Sequence, residues 1–166
     1  MGHRADATTS GWTMNGHKHI LLVSSSGGVL LDLLALEPWW ARYGTVWAAV
    51  KAADTASVLS GLRVHWVSEI SVRRPFALVV GFVQAWCILR RERPELVISA
   101  GSGPAIPFFV IARVMGIPTF WVSTLNVLTE PGISAKICGR LSSRVLLQRP
   151  SMRGAHPDGL VIGRLY

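Results

Sequence analysis

Two apolar runs, "HILLVS" at residues 19–24 and "ELVIS" at residues 95–99, constrain this chain more than any other feature. Each lacks the apolar-polar alternation of a half-exposed strand, stops at a Ser/Gly-rich loop and gives way at once to a helix-like segment. Unalternating strands are covered on both faces. A strand, loop and helix repeated along a chain is the pattern of an α/β fold with a parallel sheet and helices on both faces. The pattern recurs to the end: residues 20–24, 46–50, 63–67, 96–99, 117–123, 144–148 and 159–163 read as strands. Residues 29–43, a short segment capped by Asp54 and ending near Gly61, and residues 75–91, 104–116 and 133–143 read as helices. Pro75 suits a first helical turn, and Pro94 lies just beyond the end of the long helix it begins.

A chain of 166 residues, half of them hydrophobic, holds one core, so residues 19–166 read as a single domain behind a flexible leader at residues 1–18. That leader has no apolar signal region. The longest charge-free apolar run, residues 75–89, falls short of the roughly 20 residues that span a bilayer, so no transmembrane helix is expected. Cys87 and Cys138, each within an apolar helical run, read as buried free thiols in a reducing, cytoplasmic setting. Seventeen Lys and Arg against nine Asp and Glu give a net charge of +8, which favours anionic partners. The basic residues are dispersed apart from Arg90, Arg91 and Arg93, with no aromatic-interleaved basic sheet or recognition helix. Nucleic acid is therefore not the expected partner.

The loops "SSSGG" and "SAGSGP" both follow strands and precede helices, which puts them on the carboxyl edge where parallel sheets bind ligands. Their glycines allow close backbone approach to a ligand and equally serve tight strand-to-helix turns. Neither loop is a Walker motif or a dinucleotide fingerprint. Paired carboxylates, histidine metal spacing and the G-x-S-x-G nucleophile elbow are absent, so no metal or other cofactor is expected.

The order of motifs carries a resemblance. A Ser/Gly loop with a Leu-rich helix is followed by "RRERPELVISAGSGPAIPFFVIARVMGIPTFWV", then "EPGISAKICGRL" and a late "VIGRLY". This order resembles the membrane-anchoring subunit family of the two-part UDP-N-acetylglucosamine transferase of dolichol-linked oligosaccharide synthesis, and its bacterial exopolysaccharide glycosyltransferase subunit relatives. It extends over residues 18–166 and is most specific from Arg93 to Val122. The resemblance implies a Rossmann-like sheet equivalent to the N-terminal half of a GT-B glycosyltransferase. It further implies a separate small subunit that supplies the other half and mainly holds the UDP-sugar donor. This half would then bring the polyprenyl-linked acceptor and the cytoplasmic face of a membrane.

Carried onto this chain, the resemblance places Ser25, Ser26, Gly27, Gly28, Gly101, Ser102, Gly103, Ser123 and Asn126 around the substrate. The chain departs from the family at three places. Val29 follows the glycine pair where many relatives have a histidine, and Ser123 and Val127 stand where relatives carry a glutamate and an arginine. Valine cannot accept a proton, which leaves Asp32 and Glu130 as candidate bases. An Asp near a helix start and a Glu in a solvated loop have equally plain structural roles. Arg73, Arg74, Phe76, Trp86, Arg90, Arg91 and Arg93 flank or line the long apolar helix, as in a helix lying in a membrane interface with basic ends reaching headgroups. The same helix also suits packing on the sheet.

Overall fold

The computed structural model describes residues 19–70, 75–101, 103–123, 132–154 and 156–163. The runs read as strands form β1 (His19–Ser24), β2 (Gly44–Val50), β3 (Val64–Val67), β4 (Leu96–Ser99), β5 (Thr119–Ser123), β6 (Arg144–Leu147) and β7 (Leu160–Val161). They make one sheet in the order β3-β2-β1-β4-β5-β6-β7, and every neighbouring pair is parallel. Residues 20–24 and all of β4 are buried, as expected of strands covered on both sides. The helices are α1 (Gly28–Leu34), α2 (Glu37–Trp40), α3 (Ala53–Val58), α4 (Pro75–Glu92), α5 (Ala105–Val114) and α6 (Ile133–Leu141), with a 3-10 turn at Pro150–Gly154 before β7.

Alternate side chains feed two apolar layers. Leu21, Val23, Val46, Ala48, Val97 and Trp121 join Ala85, Leu89, Phe108, Phe109 and Cys138 of α4, α5 and α6 on one face. Ile20, Leu22, Trp47, Ala49 and Ile98 join Leu30, Leu33 and Trp40 of α1 and α2 on the other. Each fully buried Leu, Ile or Phe contributes about 1.5–3 kcal/mol relative to leaving it exposed. Aromatic edges lock both layers, with Trp40 against Trp47 at 5.7 Å and Phe109 against Trp121 at 5.9 Å between centroids.

Three local expectations are corrected. The continuous helix over 29–43 is broken into α1 and α2, because Pro38 cannot donate to a continuing ladder but fits the first turn of a new helix. The Trp40 indole N–H donates to the Leu33 carbonyl at 2.7 Å and ties the two pieces together. Asp54 lies inside the first turn of α3 rather than at the cap position, which is Ala52; there the Thr55 hydroxyl accepts the Ala52 N–H at 2.8 Å and donates to the Val50 carbonyl at 2.7 Å. Cys138 is buried and free, but the free Cys87 is exposed, since it falls on the side of α4 away from the sheet. Burial pushes the Cys138 thiol up to about 12.

The end of α4 carries Glu92, an unfavourable charge at a helix C-terminus. Its carboxylate, 3% exposed, is paired with the Arg63 guanidinium at 3.0 Å and with His65 Nε2 at 2.8 Å, which fastens α4 to β3. The helix start is fixed differently. Ile70, just ahead of residues 71–74, packs against Gly81 of α4 and Gly103 of the β4 loop. A Cβ on Gly103 would fall on the Ile70 carbonyl oxygen. Gly103→Ala is therefore expected to lower stability by roughly 1–3 kcal/mol, as overpacking of a close backbone contact does, read from the denaturant midpoint.

Candidate functional site

Strand order reverses at β1, whose two neighbours are β2 and β4. The β1 connection leads to α1 on one face and the β4 connection to α5 on the other, so the two Gly-bearing loops part at the carboxyl edge and leave a crevice between them. Such switch points are where open α/β sheets hold ligands. The loops converge at its floor. Val29 packs against the β4 loop so closely that a Cβ on Gly101 would lie 3.0 Å from Val29 Cγ2. Gly101 has φ +153° and Gly27 φ +73°, backbone conformations that favour glycine.

Ser26, Gly27 and Gly28 are exposed, and Ser25, Gly101 and Gly103 partly so. Ser24, fully buried, donates its hydroxyl to the Ser25 carbonyl at 2.7 Å, and Ser99 donates to the Gly101 carbonyl at 3.0 Å. These buried hydroxyls hold loop shape, while the exposed residues beyond them line the crevice. Ser123, at the carboxyl end of β5, is 9% exposed. Ser102, Thr124, Asn126, Val127 and Glu130 lie outside the described residues, as do Arg73 and Arg74.

Asp32 sits on α1 beyond its first turn, so the helix-start role does not apply to it. Its side chain is buried, 1% exposed. Among the described residues no group of His, Cys, Asp and Glu is arranged to hold a metal ion.

A second carboxylate, which sequence reasoning placed elsewhere, enters the site. Asp54 Oδ2 accepts the Gly27 N–H at 2.8 Å and so latches the β1 loop to the start of α3. That hydrogen bond, helped by the Thr55 N–H, holds the Asp54 carboxyl below its ordinary value of 3.8. Only the generic preference for Asp at a helix start pointed to this residue; its loop partner is 27 positions away.

The candidate membrane surface is the outer side of α4. Phe76, Val79, Val80, Val83 and Trp86 of α4 are exposed, at 87%, 61%, 46%, 57% and 43%. They form one stripe with Cys87, opposite the Gly81, Ala85, Ile88, Leu89 and Glu92 face that is buried. Arg90 lies over the Trp86 ring at 5.4 Å, and Arg90, Arg91 and Arg93 are exposed at the helix end. No helix among the described residues is long and apolar enough to cross a membrane.

No family model matches the chain. It is 29% identical over 157 residues to the UDP-N-acetylglucosamine--N-acetylmuramyl-(pentapeptide) pyrophosphoryl-undecaprenol N-acetylglucosamine transferase of Methylococcus capsulatus, covering 87% of this chain and 44% of that protein. The enzyme of the same name from Treponema pallidum is 34% identical over 116 residues, covering 63% of this chain and 29% of that protein. Acinetobacter baumannii MurG matches in structure with a TM-score of 0.68 at 17% identity, covering 89% of this chain and 44% of its own. UDP-GlcNAc 2-epimerase from Neisseria meningitidis, solved with UDP-GlcNAc, matches with a TM-score of 0.69 at 10% identity, covering 89% and 47%. The chain thus has MurG-type transferases as homologues and shares the GT-B glycosyltransferase and epimerase fold over about the N-terminal half of those proteins. It spans less than half the length of these relatives.

Since the Asp54 carboxyl is held below 3.8 by the Gly27 N–H, the latch is intact above that pH and is lost as pH falls through the lowered value. The Gly27 amide resonance is expected to titrate with a midpoint below 3.8, and this titration disappears in Asp54→Ala.

Proposed function

We propose that this chain is the acceptor-binding and membrane-recruiting half of a heteromeric GT-B glycosyltransferase. It would act in oligosaccharide or exopolysaccharide biosynthesis, where a hexose or N-acetylhexosamine passes from a UDP-sugar to a glycan on a polyprenyl diphosphate, dolichol or undecaprenol. The observation that carries this reading is the crevice between the β1 and β4 loops, on a sheet that corresponds to about the N-terminal half of UDP-sugar enzymes. The complementary half belongs to a small partner subunit that holds the UDP-sugar, and no further cofactor is required. In the joined enzyme an acceptor hydroxyl attacks the anomeric carbon of the donor sugar, its proton passes to a base, and UDP departs. The residues around the crevice position the acceptor for that attack. Glu130 is the candidate base on this chain.

Membrane recruitment falls to the exposed face of α4. The stripe from Phe76 to Trp86 enters the interface while Arg73, Arg74, Arg90, Arg91 and Arg93 meet anionic headgroups at the cytoplasmic face. Glu92 does not offset these charges outward, because it is buried against Arg63 and His65.

A second reading, a non-catalytic scaffold that recruits a catalytic partner, is favoured by one specific pair of observations. Val29 stands directly after the glycine pair, and the nearby carboxylate of Asp32 is buried.

Coexpression with the complementary half is expected to yield transfer of labelled N-acetylglucosamine from UDP-N-acetylglucosamine to a polyprenyl diphosphate-linked acceptor, and Glu130→Gln to reduce the rate at least a hundredfold. Transfer at an undiminished rate in that variant would move the base to the partner and favour the scaffold. For docking, Phe76→Ser, Val83→Ser and Trp86→Ser together are expected to weaken sedimentation with anionic vesicles more than tenfold. Replacing Arg90, Arg91 and Arg93 with Gln is expected to do so by roughly ten- to a hundredfold, with the loss shrinking at high salt. An environment-sensitive dye placed on the exposed Cys87 reports the same event, since the buried Cys138 thiol does not compete for label at neutral pH.

A further inference from the structure

Gln148 follows β6 at the carboxyl edge of the sheet and is 1% exposed. Neither its Oε1 nor its Nε2 has a hydrogen-bond partner among the described residues. Native proteins rarely leave a buried carboxamide in this state, because both its donor and its acceptor have given up water. Pairing with β7 continues beside it, where the Ile162 N–H donates to the Leu147 carbonyl at 2.8 Å, so the residue is held in place by the sheet. Its other flank is the end of β5, where Ser123 pairs with Leu147.

Three other polar groups of this edge differ from it. The Ser24 and Ser99 hydroxyls are taken up by their own loops, and Asp54 by Gly27. Another buried group without a partner, the Trp47 indole N–H, lies in mid-sheet beside Leu22 and against the Trp40 ring, away from the edge. Gln148 is thus an unsatisfied amide on the edge where ligands of such sheets are held.

We propose that Gln148 is a ligand-reading residue whose carboxamide pairs with an uncharged group of the substrate that offers a donor and an acceptor side by side, the hydroxyl or acetamido face of a sugar. A diphosphate is the wrong partner: it offers acceptors alone, so it would satisfy Nε2 and oppose Oε1. The amide is kept at a cost in stability of the free chain, which the ligand removes on binding. This assignment rests on the glycosyltransferase reading of the same edge and adds to it which part of the substrate is read beyond β6.

The test combines stability with binding. Gln148→Met, close in shape and without polar atoms, is expected to raise Tm by roughly 2–8 °C. A lowered Tm would overturn the proposal, because it would mean that the amide is bonded within the fold. In the isotope-labelled full chain, the Gln148 side-chain NH2 resonances are followed with UDP-N-acetylglucosamine, with a short-chain prenyl diphosphate-linked N-acetylglucosamine, with UDP and with pyrophosphate. A shift with either sugar compound, absent with UDP and pyrophosphate, supports the proposal, and the compound that produces it tells donor sugar from acceptor sugar. Equal shifts with pyrophosphate overturn it. Shifts of the Gly27 and Gly101 amides with Gln148 unmoved overturn it and leave the glycosyltransferase reading standing. No shift at any of the three with any compound removes both.

Discussion

The reversal of strand order at β1 governs this molecule. Because β1 pairs in parallel with both β2 and β4, every connection on one side of it crosses over one face of the sheet, and every connection on the other side crosses over the opposite face. Two consequences follow from that single pairing. The loops after β1 and β4 diverge at the carboxyl edge and open a crevice, and α4 must travel from the end of β3 back to the centre of the sheet. The long return path makes α4 an 18-residue helix with room for two apolar faces, one buried against the sheet layer and one exposed.

The crevice and the exposed face of α4 are therefore products of one topology. The Ile70 contact with Gly81 and Gly103 joins them physically, since it fixes the start of α4 against the β4 loop. At the other end of the helix, Glu92 with Arg63 and His65 holds α4 to β3. In the function proposed above, α4 meets the lipid surface while the carboxyl edge of the sheet faces the lipid-linked substrate.

The order of strands and helices was legible from residues alone, because unalternating apolar runs and Ser/Gly loops report the parallel sheet directly. The resemblance to GT-B subunits added the strand equivalence that the comparison with solved structures bears out at the level of fold. What escaped was local and depended on distant partners. Pro38 broke a helix whose apolar period runs through it. Asp54 has a partner beyond its own helix, since its carboxylate takes the Gly27 N–H, 27 residues away. Cys87 looked buried within an apolar run, yet α4 is apolar on its outer face as well. Gln148 carried no signal in its neighbourhood "RVLLQRP", since an unsatisfied amide is visible only once its surroundings are folded.

The central claim is that the edge between the β1 and β4 loops receives the lipid-linked acceptor while α4 rests on the membrane. Photo-crosslinking tests it most directly, using a polyprenyl diphosphate acceptor with a diazirine on its first sugar, presented in anionic vesicles, and mapping the adducts by mass spectrometry. The account predicts adducts within residues 24–29 and 99–104. Adducts gathered at the opposite edge of the sheet, around Arg63 and Glu92, would contradict it.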